Sequence, residues 1–422
     1  MPAKKELVKK GKGMKDILPE ECLLREKFVD KAKAIAEFYG FEPIQTPYLE
    51  KVELFTSAIG ESTDIVEKEM YNLKTKGGEK LVLRPEGTAP IVRAYLENGM
   101  HTKPQPVMLY YSGSFFRYER PQKGRRREHQ QFGIEVLGEE DSIADALVIR
   151  ILFAILEEAT GIKSFSLRLN SVGDKECRKN YQKELTAYYR KHAKSLCKNC
   201  ERRLKTNPLR LLDCKEEECA PIKEDAPQII DYLCNSCTNH FKELLEILDA
   251  SGTPYYLDHH LVRGLDYYSR TAFEFVSEEG LAFGGGGRYD PLAEIISGKE
   301  LPGVGGSIGV ERALETKLEK QRSESAQKPI KVFFIQLGTG AKHKSLYVLE
   351  MLRKAKIPAK HSLSKNSIKS QLAIASKLGA SYTLIFGQKE ALENSIIIRD
   401  METASQETVN LEKLTDYLKK KI

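Results

Sequence analysis

Residues 116–127 read FRYERPQKGRRR and place six cationic side chains and one carboxylate in twelve positions, interrupted by Pro121 and Gly124. The preceding run, residues 107–118, is rich in aromatic strand formers, and residues 132–138 again favour a strand. We therefore predict two strands joined by a long basic loop. An arginine held on a strand is suited to clamp a phosphate, and a basic loop beyond it is suited to a second polyanion. A solvated basic hairpin without a ligand is the alternative.

The composition is that of a globular chain. Its 422 residues are 41% hydrophobic and 30% charged, and this length suits two or three domains. No apolar run approaches the roughly 18 residues that span a bilayer, and the basic start lacks the apolar core of a secretory signal, which favours the cytoplasm. The net charge is +7, and residues 328–422 carry 17 Lys and Arg against 8 Asp and Glu. This asymmetry favours a polyanionic partner at the C-terminal end.

The order of the predicted elements indicates an α+β fold. In the body of the chain, residues 1–325, successive strands are linked by turns instead of crossover helices, which favours a mainly antiparallel sheet flanked by helices. A Lys-, Glu- and Cys-rich helical block at about 174–250 is typical of an insertion in this body. Residues 321–329 are polar and end in proline, as in a linker. Beyond them, residues 329–422 alternate strands and helices, the pattern of an α/β module.

Six of the eight cysteines lie close together in the predicted insertion. They form the pairs Cys197 and Cys200, Cys214 and Cys219, and Cys234 and Cys237. Thiols at these spacings can bind a metal ion, for which zinc is the first candidate in a reducing compartment, and His240 could add a nitrogen ligand. Free packed thiols are the alternative, and the sequence leaves the choice open. We assign no catalytic metal to these residues.

Four further clusters combine charged side chains with glycines or turns. They are residues 83–88 (LRPEGT), 261–270 (LVRGLDYYSR), 284–290 (GGGGRYD) and 303–312 (GVGGSIGVER). The first ends a strand with a carboxylate and a hydroxyl, and the glycine runs allow a ligand to approach the backbone closely. In the second, strand alternation predicts that Arg263 and Tyr267 face away from Tyr268, unless the intervening glycine introduces a bulge.

Together and in this order, the clusters resemble the class II aminoacyl-tRNA synthetases and, within that class, the histidyl-tRNA synthetases. Arg117 and Glu119 in Phe-Arg-x-Glu are similar to motif 2 of the class. Residues 303–312 are similar to motif 3, and residues 40–47 to motif 1, whose proline lies at the dimer interface in that class. The segments most similar to the histidyl family are residues 13–19, 83–88, 120–124, 261–268 and 286–290. The resemblance covers essentially the whole chain.

This resemblance implies that histidine is ligated to tRNA(His) in two steps. An ATP-dependent step would form histidyl-adenylate, and the acyl group would then move to the 3′-terminal ribose. ATP would be a substrate, Mg2+ would bind to its phosphates, and the protein would be a homodimer. Residues 1–325 would form the class II catalytic domain, with the insertion at about 174–250, and residues 329–422 the anticodon-binding domain.

The resemblance also implies a role for each matching residue. Arg263 and Arg117 would be catalytic, because both would neutralise charge around the α-phosphate. The residues implied to bind ATP are Arg117, Glu119, Arg312 and Arg263. The residues implied to bind histidine are Glu86, Gly87, Thr88, Gln131, Glu135, Tyr267, Tyr268, Arg288 and Tyr289. The residues implied to receive the tRNA acceptor end are Arg120, Gln122, Lys123, Arg125, Arg126 and Arg127.

One position departs from the family, and two other functions have to be weighed. His129 stands where the family usually has an adenine-stacking phenylalanine. A synthetase-like regulatory subunit of histidine biosynthesis would be expected to lack the adenylating arginines and the anticodon module, both of which this sequence retains. A nucleic-acid-binding protein without catalysis would fit the basic charge but would leave Glu86, Glu135 and Tyr268 without a role.

Overall fold

The structure is a computed structural model that describes residues 7–60, 63–121, 125–162, 164–315, 330–362 and 367–422. The chain divides into two compact units, Met1–Glu319 and Lys320–Ile422. The predicted linker at 321–329 lies outside the described residues, as do the predicted domain boundaries at 325 and 329. Among the helices that the structure describes, none is long and apolar enough to cross a membrane.

An eight-stranded sheet forms the centre of the first unit. The strands of this unit are, in chain order, β1 (Glu42–Pro43), β2 (Leu49–Lys51), β3 (Tyr71–Lys74), β4 (Lys80–Leu83), β5 (Val107–Phe116), β6 (Glu128–Leu137), β7 (Phe165–Ser171), β8 (Tyr256–Leu257), β9 (Ser269–Ser277), β10 (Ala282–Arg288) and β11 (Gly303–Gly309). The large sheet has the order β1-β5-β6-β11-β10-β9-β7-β8 and is antiparallel from β5 to β7, with a short parallel strand at each edge. Strands β2, β4 and β3 form a small antiparallel sheet. The predicted α+β body with a mainly antiparallel sheet is confirmed.

Helices α1 (Pro19–Phe38) and α4 (Ser142–Ile155) pack against one face of the large sheet, and the polar residues of the site lie on the other face. Outside the predicted insertion the other helices are α2 (Val52–Ile59), α3 (Thr88–Glu97) and α9 (Pro291–Ser297), and residues 310–315 are also helical. Along β6, Phe132 and Ile134 are buried in one hydrophobic core with residues of α1 and α4. Because successive strand residues point to opposite faces, Gln131 and Glu135 lie on the other face.

The predicted insertion at about 174–250 contains four helices. These are α5 (Lys175–Lys191), α6 (Lys198–Thr206), α7 (Ala220–Glu224) and α8 (Asn235–Ala250). Phe241 and Leu244 of α8 are buried in the core beneath the large sheet. Tyr181 and Leu185 of α5 are buried in the core on the opposite side, with the residues around the site. The helical block is therefore packed against both faces of the body.

The C-terminal unit has a five-stranded mixed sheet. Its strands are β12 (Val332–Gln336), β13 (Ala359–His361), β14 (Tyr382–Phe386), β15 (Ser395–Asp400) and β16 (Gln406–Asn410), in the order β13-β12-β14-β15-β16. Its helices are α10 (Thr339–Lys354), α11 (Ile368–Lys377), α12 (Gln388–Glu393) and α13 (Leu414–Lys421). The α/β character predicted for this part is confirmed.

Candidate active site

Arg263 lies on a loop, contrary to the prediction of an alternating strand. Residues 258–268 form turns, and β9 begins only at Ser269. The rings of Tyr267 and Tyr268 are 4.9 Å apart, and the guanidinium of Arg263 is 5.5 Å from the Tyr268 ring centre. Strand alternation would have placed these side chains on opposite faces. The loop gathers all three on one side, because its turns break the period of two.

Glu135 is a fully buried carboxyl surrounded by hydroxyl groups. Thr88 donates to its Oε1 at 2.9 Å and Tyr111 to the same oxygen at 3.3 Å. Tyr289 donates to its Oε2 at 2.6 Å. These bonds come from a helix, a strand and a turn, so three parts of the fold fix one carboxyl in place.

Glu86 is a second buried carboxyl, placed before the N-terminus of α3. It accepts the backbone N–H groups of Thr88 at 2.6 Å and Ala89 at 3.0 Å, and the hydroxyl of Tyr267 at 3.3 Å. The N–H groups of the first helical turn have no partner within the helix, and the helix dipole favours an anion there. Gly87, the residue before the helix, brings the backbone so close to Tyr111 that a Cβ would lie 2.6 Å from its ring.

Both carboxyls hold protons unusually tightly. Burial raises the pKa of Glu135 to about 8, although the hydrogen bonds from Tyr289 and Thr88 oppose the shift. Burial also raises the pKa of Glu86, against the bonds from the backbone of Ala89 and Thr88. Among the described residues, no Lys, Arg or His lies within ion-pair distance of either carboxyl. A ligand that brings positive charge or N–H donors would therefore be favoured between them.

Two glycines make room for the hydroxyl-lined pocket around Glu135. A Cβ on Gly305 would overlap Oε2 of Glu135 and lie 2.5 Å from its Cδ. A Cβ on Gly133 would lie 2.7 Å from Cε1 of Tyr111. Real Cβ atoms essentially never approach other heavy atoms so closely. The glycines in β6 and β11 are thus required for space beside the carboxyl.

Three arginines lie around the same face, each held by an acceptor of the protein. Arg263 Nη1 is 3.3 Å from Oε1 of Glu274 on β9. Arg117 Nε donates to the Pro85 carbonyl at 2.9 Å, directly before Glu86. Arg312 Nη1 donates to the Ala282 carbonyl at 2.9 Å. Each guanidinium is therefore oriented before a ligand arrives, which lowers the entropic cost of binding an anion.

The basic hairpin has the predicted strand–loop–strand form, with one correction. β5 ends at Phe116, so Arg117 and Glu119 follow the strand instead of lying on it. The chain remains paired at this point, because the Arg117 N–H donates to the Arg127 carbonyl at 2.9 Å. Arg125 approaches Glu119 at 3.4 Å. Glu119 thus ties Arg125 to the segment that carries Arg117.

The arginines of the basic loop differ in where they lie. Arg127 lies 3.7 Å above the Tyr118 ring and donates to two backbone carbonyls, so it fixes the base of the loop. Arg126 lies 3.8 Å from Glu21. Arg120 is exposed, as is Arg125. Gln122 and Lys123, which were predicted to contact the same partner, lie outside the described residues.

His129 and Gln131 lie on β6, on the same face as Glu135. The His129 ring is tilted against Phe115, with 6.2 Å between the ring centres. Burial, together with the positive charges of Arg117 and Arg312, lowers the pKa of His129 to about 3. The imidazole is therefore neutral at physiological pH and offers a flat uncharged ring. Gln131 is half-buried at the point where β6 pairs with β5 and β11.

Arg288 does not line the pocket, which corrects its prediction as a histidine-binding residue. Its side chain is fully buried and forms an ion pair with Asp145 of α4 and another with Asp290 at 3.2 Å. It also donates to the backbone carbonyls of Glu139 and Asp141 at 2.8 and 3.1 Å. Strand alternation turns it away from the site face. The guanidinium therefore positions the end of β10 and is not available to a ligand.

Three residues that position side chains at the site or behind it were missed by sequence reasoning. Tyr111 donates to Glu135, Glu274 holds Arg263, and Asp145 holds Arg288. The register of the β5–β6 pair would have identified Tyr111, because Tyr111 lies opposite Gly133. Gly133 is two residues before Glu135. No local sequence pattern identifies Asp145 or Glu274, because each contacts a partner more than ten residues away in the chain.

The architecture is that of a class II synthetase: a mainly antiparallel sheet with arginines on one face, and a separate α/β unit. The family model described as "Histidyl-tRNA synthetase" matches residues 13–313, and the model described as "Anticodon binding domain" matches residues 331–421. The chain belongs to the histidyl-tRNA synthetase family.

Several proteins are similar to this chain over its full length. The chain is 44% identical to the histidine–tRNA ligase of Dehalococcoides mccartyi, covering 97% of this chain and 99% of the relative. It is 42% identical to the histidine–tRNA ligase of Natranaerobius thermophilus, covering 98% and 99%. A crystal structure of apo S. aureus histidyl-tRNA synthetase superposes with a TM-score of 0.79 at 33% identity, covering 98% of this chain and 100% of that one.

Proposed function

We propose that this chain ligates histidine to tRNA(His) by way of a histidyl-adenylate. The observation that carries the proposal is the pair of buried carboxyls, Glu86 and Glu135, on the face that also holds Arg263. Neither carboxyl has a cationic partner within ion-pair distance in the described part of the chain. An amino acid with an ammonium group and an imidazole supplies the missing charge and N–H donors. The full-length relatives named as histidine–tRNA ligases support this reading.

Histidine would lie with its two ends at the two carboxyls. Glu86 would hold the α-ammonium group, because it already lies beside the Tyr267 hydroxyl and the α3 N-terminus. Thr88 and Gln131 would assist at this end. Glu135 and the hydroxyl of Tyr268 would bind the two imidazole nitrogens, which need one donor and one acceptor. Because these groups are buried, an amino acid without matching polar atoms would leave them unpaired and would be rejected.

Adenylation would proceed between the carboxyl pair and the arginines. A carboxylate oxygen of histidine attacks the α-phosphorus of ATP, and the bond to the pyrophosphate oxygen breaks. Both reactants are anionic, so Arg263 and Arg117 would lower the barrier by neutralising the charge that accumulates at the α-phosphate. Glu119 would accept from the adenine amino group, and Arg312 would hold the γ-phosphate. The neutral ring of His129 would stack on adenine.

Mg2+ would accompany ATP on its phosphates. The site face offers Glu274, whose side chain is 30% exposed beside Arg263, and oxygen ligands are those that Mg2+ prefers. The described residues therefore fit a cation held jointly by one carboxylate and the nucleotide. When bound, the ion would supply further charge neutralisation of the phosphates.

The tRNA would be held at two places. Arg120 and the neighbouring loop residues would receive the acceptor end, since exposed arginines bind phosphates without sequence preference. The unit that matches the anticodon-binding family would bind the other end. The cytoplasmic location predicted from the sequence agrees with this substrate.

We further propose that the protein is a homodimer through the segment around Pro47. Arg84 fixes this segment, because its guanidinium lies 4.5 Å from the ring centres of Tyr48 and Phe115 and donates to the Thr46 carbonyl at 3.0 Å. Tyr48 and Leu49, next to this rigid turn, are each 43% exposed. Exposed apolar side chains on a fixed backbone suit a protein interface.

Histidine binding should release a proton from Glu135. In the free protein the pKa of Glu135 is about 8, so the carboxyl is protonated at pH 7. A bound imidazole N–H and ammonium group favour the charged form and lower that pKa. Histidine affinity should therefore rise with pH up to about 8. Proton release on histidine binding can be measured by calorimetry in buffers of different ionisation enthalpy. At pH 7 the native chain should release up to one proton more than Glu135→Gln.

The glutamine variant is the matched control for that measurement. Its amide keeps the shape and the hydroxyl partners of Glu135 but cannot titrate, while the titration of histidine itself is common to both proteins. By linkage, a carboxyl with a raised pKa also makes the free native protein less stable as pH rises from about 4.5 to about 8. Equal proton release by the two proteins would contradict the predicted role of Glu135.

Histidine-dependent ATP–pyrophosphate exchange tests the function directly. The purified chain should exchange labelled pyrophosphate into ATP only when histidine is present. A regulatory subunit would bind histidine, as measured by calorimetry, without exchange. A nucleic-acid-binding protein would show neither activity, and either result would overturn the proposal.

A further inference from the structure

Four cysteines of the helical insertion converge in its interior. Cys197, Cys200, Cys214 and Cys219 are all buried, and their sulfur atoms lie within 4.8 Å of one another. The sulfurs of Cys197 and Cys214 are 3.8 Å apart. A tetrahedral zinc site with Zn–S bonds of about 2.3 Å has sulfur–sulfur edges of about 3.8 Å. The spacing therefore matches a four-thiolate site and is far longer than a disulfide bond.

Backbone N–H groups around these four cysteines are placed to stabilise the thiolate form of their side chains. The N–H of Cys200 donates to the Cys197 sulfur at 3.4 Å, and the N–H of Cys197 donates to the Cys219 sulfur at 3.3 Å. Cys197 caps the N-terminus of the nine-residue helix α6 with its sulfur. Donors directed at sulfur stabilise its negative charge and orient the ligands of a metal site.

A second group lies where the insertion joins the body. Asp174, Cys177, Cys234 and Cys237 also bring their ligand atoms within 4.8 Å of one another. The thiols of Cys234 and Cys237 lie 3.3 and 3.4 Å from the same oxygen of Asp174. The N–H of Cys234 donates to the Cys177 sulfur at 3.0 Å, and that of Cys237 donates to the Cys234 sulfur at 3.5 Å.

The membership of the second group corrects the ligand set expected from the sequence. His240, the expected nitrogen ligand, is not part of it and lies 3.7 Å from Asp145 instead. Asp174 and Cys177, which have the same two-residue spacing as Cys234 and Cys237, take its place. The six cysteines noted in the sequence therefore divide into four and two, and the two are completed by residues from the start of α5.

We propose that each group binds one Zn2+ ion, the first through four thiolates and the second through three thiolates and the Asp174 carboxylate. Disulfides do not explain the second group, because three cysteines leave one thiol unpaired and give the carboxylate no role. Free thiols do not explain why a carboxylate and three sulfurs converge on one point. Four-coordinate zinc explains both groups, since cysteine and aspartate are among its ordinary protein ligands.

The two ions would brace different parts of the insertion. The first joins residues 197–200 to residues 214–219. The second joins the start of α5 to the start of α8, and so closes the two ends of the insertion on each other. The second group is also linked to the site loop, because Arg178 donates to the Asp266 carbonyl at 3.1 Å, next to Tyr267. Zinc there would be structural and would hold the base of that loop.

Metal analysis of the full chain tests the proposal. The native protein, purified without chelator and without added zinc, should contain two zinc ions per chain. Cys219→Ser and Cys234→Ser should each contain one, since each removes a ligand from a different group. Cys22→Ser is the matched control and should retain two, because Cys22 is an exposed cysteine of α1 outside both groups.

A measurement on the native protein keeps the test valid if a serine variant fails to fold. A mercurial that displaces thiolate ligands should release two zinc ions per chain, measured with a chromogenic chelator. Protein loaded with Co2+ should show the intense absorption of tetrahedral cobalt–thiolate sites. Zinc-free native protein, or another metal in these groups, would overturn the proposal. If the native protein contains one zinc ion per chain and only one of the two serine variants loses it, the proposal is overturned for the group that the other variant alters.

Discussion

Arg263→Ala should reduce histidine-dependent ATP–pyrophosphate exchange by at least about 100-fold, the scale seen when one donor to a developing charge is removed. Adenylation joins a carboxylate to a phosphate that bears like charge, and Arg263 lies at the place where that charge accumulates. Its guanidinium is held by Glu274 at 3.3 Å and lies over Tyr268. Because this arrangement exists before ATP binds, the arginine stabilises the transition state without reorganisation.

The same variant should bind tRNA nearly as the native chain does, because the basic loop and the C-terminal unit remain. Arg168→Ala is the matched control. It removes a surface arginine that is 44% exposed and pairs with Asp258, and exchange should stay close to the native rate. A loss of less than about tenfold for Arg263→Ala, or about 1.4 kcal/mol, would contradict the transition-state role.

The sequence predicted the parts of the site that lie within single segments. The strand–loop–strand form of residues 107–138 follows from composition alone, since aromatic strand formers flank a run that cannot be buried. Glu86 was found because the sequence places it, with Thr88, at the end of a predicted strand. The α+β class and the mainly antiparallel sheet followed from short connections between strands.

The parts that sequence reasoning missed or misplaced depend on contacts between distant segments. Alternation placed Arg263 and Tyr268 on opposite faces, but the loop at 258–268 has no strand partner to enforce that period. Arg288 has the residue type of a ligand-binding side chain, yet its pairing with Asp145 of α4 decides its role. Such a partner more than a hundred residues away leaves no local pattern in the sequence.

The cysteines show the same limit. Spacing identified three pairs of thiols, but it could not reveal that Cys177 and Asp174 complete one group. Those residues meet Cys234 and Cys237 only because α5 and α8 begin side by side. The sequence shows which residues could bind a metal ion, but only the fold determines which of them come together in one site.

Gly305→Ala should abolish histidine binding while leaving the fold in place. A Cβ at this position would overlap the Glu135 carboxylate and lie 2.7 Å from the Ile134 carbonyl. Glu135 cannot move aside easily, because hydroxyls of Thr88, Tyr111 and Tyr289 hold it. We expect histidine affinity to fall at least about 100-fold, since the imidazole contact is lost and a buried carboxyl is left misplaced.

Loss of binding through the site can be separated from loss of the fold by measuring stability alongside affinity. Overpacking of this kind costs about 1–3 kcal/mol, which a chain of this size should tolerate. Gly340→Ala in α10 is the matched control, because its Cβ would meet only Gln388 at an ordinary 3.9 Å and should slightly stabilise the helix. Histidine should raise the melting temperature of the native chain and of Gly340→Ala but not of Gly305→Ala. Native histidine affinity in Gly305→Ala would show that Glu135 is not where the imidazole binds.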